Sequence, residues 1–148
     1  KIGKGYILIE GSDVAILNLG TRLEKCIEAC KFLNQNNIYP TIADARFAKP
    51  LDTQLIDNLL DNHRYIITIE EGSIGGFSSH VLHYVHNIRS KKDNVVINNI
   101  IFPDRFVEHM TPDEQYEDIR MDTESIIKKI NNFYEDKIVD INNFKLKV

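Results

Sequence analysis

The sequence predicts a three-layer α/β/α domain with a mostly parallel five-stranded sheet and one antiparallel edge strand. Three observations lead there. Five short β-prone runs alternate with segments of helical period. The run Asp13–Leu19 is continuously apolar through Val14, Ala15, Ile16 and Leu17, as a strand covered on both faces must be. Helices placed between successive strands give right-handed crossovers to parallel neighbours. At 148 residues and 43% hydrophobic content, the chain can bury a core without disulfides or metals.

Each element follows from local pattern. Tyr6–Ile9 is a short strand closed by Glu10-Gly11, suited to the antiparallel edge. After Asp13–Leu19, Gly20-Thr21 opens a helix; Thr21 with Glu24 makes a capping-box pattern, and Leu23, Cys26, Ile27, Cys30 and Leu33 form its apolar face. That helix ends in Asn34-Gln35-Asn36-Asn37. Ile38–Ala43 is the next strand, leading into Asp44-Ala45-Arg46. Pro50 precedes a second helix with Asp52 as N-cap and Leu55, Ile56, Leu59 and Leu60 inward. Tyr65–Ile69 is a strand ending at Glu70-Glu71. A glycine-rich turn from Gly72 to Gly76 leads into a helix through Val81, Leu82, Val85 and Ile88, with Ser78 or Ser79 available to cap it. Asn94–Phe102 is the last strand, stopped by Pro103. Helices near Pro112–Ile119 and Thr123–Tyr134 complete a domain over residues 1–135, and residues 136–148 form a tail of no clear period.

Composition excludes whole classes of function. Eighteen basic against 22 acidic residues leave a net charge of −4, with no basic stripe to displace counterions from nucleic acid. No apolar stretch approaches the ~20 residues that cross a bilayer, and no secretory signal stands at the start. Cys26 and Cys30 are one helical turn apart within an apolar face, which makes them small core residues rather than a disulfide or metal pair. The 22 Ile and 14 Asn reflect A·T-rich codons. A first residue that is Lys, not Met, points to a piece of a longer chain or a processed product.

Ligands of such sheets bind outside the carboxyl ends of the strands, where Asp44–Asp52, Glu70–His80 and Pro103–His109 all fall. The three glycines and the helix start after Glu70-Glu71 could hold a small anion, or could let another domain or subunit pack closely. The turn lacks the Lys-Ser/Thr ending of a P-loop. Glu70 and Glu71 point to opposite sides, so one of them could act as a base or bind a partner's arginine. Asp44, Arg46, Lys49 and Asp52 form a mixed-charge cluster suited to an interdomain or intersubunit ion-pair network. His80, His83 and His86 recur every third residue, but the outer two are about 120° apart and no carboxylate shares their helix, so no metal site is expected. Ser79 beside His80 is not a nucleophile pair, and no GxSxG elbow exists. The residues supply a contact-making edge without a complete catalytic set.

Those same segments carry a resemblance. Asp44-Ala45-Arg46-Phe47-Ala48-Lys49-Pro50-Leu51-Asp52, Glu70-Glu71-Gly72-Ser73-Ile74-Gly75-Gly76-Phe77 with Ser79-His80-Val81, and Pro103-Asp104-Arg105-Phe106-Val107-Glu108-His109 resemble the C-terminal domain of the 1-deoxy-D-xylulose-5-phosphate synthase family. Ile2-Gly3-Lys4-Gly5 and Leu19-Gly20-Thr21-Arg22 are similar too, so the likeness runs from about Ile2 to Ile130. The Asp44–Asp52 pattern is shared by other transketolase-like enzymes, including the pyruvate dehydrogenase β subunit. Ser78 and Met110 stand where family members commonly have Gly.

The resemblance implies a transketolase-type transferase that condenses pyruvate with D-glyceraldehyde 3-phosphate, with loss of CO₂, in the first step of non-mevalonate isoprenoid synthesis. Thiamine diphosphate and Mg²⁺ would be bound by two upstream domains. No catalytic, cofactor-binding or metal residue carries over to this chain, whose part would be to support the upstream domains and the homodimer and which would be inactive alone. Contacts to a neighbouring domain, a subunit or an anion would then fall to Arg46, Lys49, Glu70, Glu71, Gly72, Gly75, Gly76, Ser79, His80, Arg105 and His109. The alternatives are a small-anion-binding regulatory module and the C-terminal domain of another thiamine enzyme. With the A·T-rich bias, the family implies a relict plastid of a parasite, or the cytoplasm of an A·T-rich bacterium.

Overall fold

In the computed structural model, residues 1–89 and 95–133 are described. They form five strands and five helices: β1 (Tyr6–Ile9), β2 (Val14–Leu19), α1 (Leu23–Asn34), β3 (Thr41–Asp44), α2 (Thr53–Asn62), β4 (Tyr65–Glu70), α3 (Phe77–Asn87), β5 (Val96–Ile100), α4 (Pro112–Asp118) and α5 (Thr123–Asn131). The sheet order is β1-β3-β2-β4-β5, with β1 antiparallel to β3 and every other pair parallel. The expected layers and edge strand are therefore present. Strand alternation divides the core. Val14, Ile16, Ile42, Ile67 and Ile69 face α1 and α5, while Ala15, Leu17, Ala43 and Ile66 face α2 and α3.

Several local expectations are corrected. The Thr21–Glu24 capping box does not form: α1 starts with Arg22 as N-cap and no side-chain cap, because the Thr21 hydroxyl is drawn to Glu71 across the sheet edge. β3 begins at Thr41 rather than Ile38. Ile38 is buried, but Pro40 has no N–H to give a ladder. β5 ends at Ile100, two residues early, because Phe102 N–H turns away to the Gly72 carbonyl (2.8 Å). The inner face of α3 is Phe77 and Val81, with Leu82 and Ile88 exposed. α5 ends at Asn131. Asn94, Tyr134 and the tail from Asp136 lie outside the described residues, as does the expected boundary after residue 135.

Asp52 caps α2 as the sequence requires, and it does more. Its Oδ1 accepts the Leu55 N–H (3.3 Å) and the Lys4 ammonium (2.9 Å), while Oδ2 accepts the Gly5 N–H (3.0 Å). Burial alone would push this carboxyl up, but the bonds from Lys4, Gly5 and Leu55 prevail and hold it below the usual aspartate range. One carboxylate thus starts a helix and ties the segment before β1 to the start of α2. Asp52→Ala removes all three bonds and is expected to lower unfolding stability by about 1–2 kcal/mol. Urea titration of the variant against the parent checks this.

Candidate functional site

The carboxyl ends of β2, β3, β4 and β5 line one edge, and two adjacent glutamates organise it. β4 alternation sends Glu70 to the α3 side and Glu71 to the α1 side, as the sequence predicts.

Glu70 is buried, and its carboxylate occupies the N-terminus of α3. Oε2 accepts the Phe77 N–H (2.8 Å) and Oε1 accepts the Ser78 N–H (2.7 Å). These are helix-terminal donors that no earlier turn can satisfy, in the region where the helix dipole favours negative charge. The capping expected from Ser78 or Ser79 is therefore supplied by Glu70. Ser78 Oγ instead accepts from Thr68 Oγ1 (2.9 Å), and Ser79 Oγ accepts the Gly75 N–H (2.9 Å). The Ser78 side chain is buried against β4. Gly76 has a physical reason of its own: a Cβ there would lie 2.5 Å from Glu70 Oε2. Gly75, at φ +100°, makes the turn.

Glu71 reaches the other way. Its Oε1 accepts from Thr21 Oγ1 (2.6 Å) and from the Tyr116 hydroxyl of α4, and Oε2 accepts the Thr21 N–H (3.1 Å). Arg22 Nε lies 3.5 Å from Oε1, and the guanidinium stacks over the Tyr116 ring, 3.4 Å from its centre. Partial burial pushes Glu71 up. The bonds from Thr21 and Tyr116, together with the Arg22 charge, outweigh it and hold the carboxyl below the usual glutamate range. The Tyr116 phenol is pushed up by its bond to Glu71 and by burial. Thr21, Arg22 and Tyr116 were not visible as partners in the sequence, since Tyr116 is 45 positions from Glu71 and no periodicity links them.

The remaining predicted residues sit at the same edge but are not drawn into one cluster. Arg46 has a left-handed backbone (φ 58°), held by its N–H to Asp44 Oδ1 (2.9 Å), and its guanidinium lies over Tyr6 and Phe47 at 5.8 and 5.6 Å. Lys49 is exposed before a cis peptide bond to Pro50. Asp44 is occupied by the Arg46 N–H and Asp52 by Lys4, Gly5 and Leu55, so neither carboxylate pairs with the side chain of Arg46 or Lys49 among the described residues. Arg105 binds the Asp118 carboxylate (2.5 Å) and carbonyl (3.1 Å). His80 lies half-buried in the first turn of α3, and His109 is exposed. Cys26, pushed up to about 12 by burial, and Cys30 are core residues.

Chemically, Glu70, Glu71, Asp44 and Asp52 are committed to internal bonds, and Arg46 and Lys49 face outward at the same edge. The turn read as an anion holder already contains an anion, the chain's own Glu70, and a phosphate at that helix start would displace or repel it.

Comparison with known proteins agrees with this architecture. The family model for the transketolase C-terminal domain matches residues 3–126. The chain belongs to that family. A probable chloroplastic 1-deoxy-D-xylulose-5-phosphate synthase 2 from Oryza sativa subsp. japonica is 43% identical over 118 residues, which is 80% of this chain and 16% of the rice protein. The chain therefore spans about a sixth of the length of that relative. A solved split-gene transketolase, described as an inactive β4 tetramer, superposes with TM-score 0.78 at 26% identity, covering 93% of this chain and 44% of that one. A Pichia stipitis transketolase superposes at TM-score 0.64 and 17% identity, over 98% of this chain and 19% of that one, which is a likeness of fold.

Two outcomes follow for this transketolase C-terminal domain. Glu70→Ala orphans two N–H groups and is expected to cost about 1–3 kcal/mol. Glu70→Gln, keeping one acceptor, should fall between, with amide exchange at Phe77 and Ser78 rising first. Glu71 supplies a pH-dependent test. Its carboxyl is lowered in the folded state, so its stabilisation is present above the unfolded value and is lost as pH falls through the folded one. Glu71→Gln should therefore flatten the acid limb of a stability-against-pH curve below about pH 4.5, the ordinary glutamate value, and leave its slope at neutral pH unchanged.

Proposed function

We propose that this chain is the third domain of a 1-deoxy-D-xylulose-5-phosphate synthase. That enzyme condenses pyruvate with D-glyceraldehyde 3-phosphate, releasing CO₂, and is a transferase of isoprenoid synthesis. The observation that carries the proposal is the identity with the rice synthase across four-fifths of the chain. The edge geometry supports it, since Glu70, Glu71, Asp44 and Asp52 are spent on internal bonds.

Thiamine diphosphate does not fit this chain's residues. The α3 N–H groups that would face a diphosphate are already bonded to Glu70, whose charge would oppose it. Among the described residues there is no group of three His, Cys, Asp or Glu side chains placed to hold a metal ion. On the proposed reading the cofactor and Mg²⁺ would be held by domains upstream in the same polypeptide, with this domain supporting them and the homodimer. The rice relative's chloroplastic address and the Asn- and Ile-rich composition support a plastid, the relict plastid of a parasite with an A·T-rich genome. In an A·T-rich bacterium the same enzyme would be cytoplasmic.

The test is a pair of assays. Full-length protein containing this chain should form 1-deoxy-D-xylulose 5-phosphate from the two substrates, in a thiamine-diphosphate-dependent way. The 148-residue chain alone should give a folded circular-dichroism spectrum, no CO₂ release and no micromolar thiamine diphosphate heat in calorimetry. Tight cofactor binding by the isolated chain, or a full-length protein that leaves both substrates untouched, would overturn the proposal.

A further inference from the structure

Among the described residues eight large apolar side chains are exposed: Ile2, Tyr6, Tyr39, Ile74, Leu82, Ile88, Val96 and Phe106. Four of them, Ile2, Tyr6, Ile74 and Phe106, lie on the edge formed by the carboxyl ends of the parallel strands. Phe106 is 89% exposed and Ile74 75%, which is unusual for side chains whose burial is worth about 1.5–3 kcal/mol each. Neither sits on a loose loop. Arg105 fixes the Phe106 loop to α4 through Asp118 and also donates to the Phe106 carbonyl (3.2 Å). The turn bearing Ile74 is closed by Gly76 N–H to the Ser73 carbonyl (3.1 Å) and by Gly75 N–H to Ser79 Oγ. The bond from Phe102 N–H to the Gly72 carbonyl then ties the two loops to each other. Apolar groups displayed on an already ordered backbone lose little further entropy when covered, the property of interface anchors.

Two further observations say what covers them. β1 runs antiparallel to β3, so the segment before Tyr6 reaches the domain at this same edge, where Lys4 and Gly5 are clasped by Asp52. The matched stretch makes up 16% of the rice relative, so in a protein of that kind most of the polypeptide lies outside this domain. The edge also carries Arg46 and Lys49, which pair with no carboxylate among the described residues.

We propose that this edge is the face on which the domain docks the adjoining domain of its own polypeptide. Phe106 and Ile74 are the apolar anchors, and Arg46 and Lys49 meet carboxylates on the docked surface. The inference rests on the third-domain reading of the chain and adds the surface to it.

The experiment uses full-length protein and limited trypsin digestion, following cleavage at the segment leading into Tyr6, together with solution mass by light scattering. Phe106→Glu and the double variant I74E/F106E are expected to speed that cleavage at least ~10-fold, the weight of one good anchor. Phe106→Leu should restore slow cleavage. Tyr39→Glu, at the opposite end of the sheet, should leave it unchanged. Both anchor side chains are solvent-exposed, and an unaltered circular-dichroism spectrum confirms that the variants fold. Unchanged cleavage in I74E/F106E overturns the proposal. So does a halved solution mass with unchanged cleavage, which would assign the edge to a second copy. The digestion is independent of activity. Faster cleavage in a protein that makes no 1-deoxy-D-xylulose 5-phosphate would refute the synthase reading and leave the docking edge standing, and synthase activity with unchanged cleavage would do the reverse.

Discussion

The edge of this domain is built around one internal ion, the Glu70 carboxylate at the start of α3. It ends β4, takes the first free N–H groups of the helix, and forces glycine at position 76 by its own proximity. A helix start needs an acceptor, and a buried carboxylate needs donors. Placing one against the other satisfies both without help from solvent, and it fixes the direction in which α3 leaves the sheet. The turn between them then has little conformational choice, which is why its exposed tip can be firm.

Glu71 performs the matching service on the opposite face. Because successive residues of a strand face opposite ways, two neighbouring glutamates anchor both helical layers at one level of the sheet. Glu70 holds α3, and Glu71 joins the approach to α1 with α4 through Thr21, Arg22 and Tyr116. Both glutamates at the end of β4 are spent this way. Around them the exposed side chains of this edge are both charged and apolar, Arg46, Lys49, Asp104, Glu108, Ile74 and Phe106 among them.

Much of this was legible in the sequence, and most of the failures come from tertiary partners. The five strands, their order of appearance, the Asp52 cap and the opposed glutamates follow from periods of 2 and 3.6 and from turn chemistry, which are local. The Thr21–Glu24 capping box failed because a tertiary partner, Glu71, competed for the same hydroxyl. The glycine turn left open a small anion or close packing of another domain, and pattern alone could not say that a carboxylate from seven residues back in the same chain takes the helix start. Ile38 is buried as expected, yet Pro40 delays the strand, a backbone constraint that hydrophobicity does not register. Tyr116 was out of reach because its role depends on how α4 packs, and no short-range rule sets that.

The register of β1 against β3 slips between Ile7 and Ile9, a bulge on the outermost strand. An outer strand with a regular ladder is a template onto which a stray chain can add, and a bulge breaks the spacing that such an addition requires. In the folded domain this border of the sheet is thereby a poor template for the addition of a further strand from another molecule.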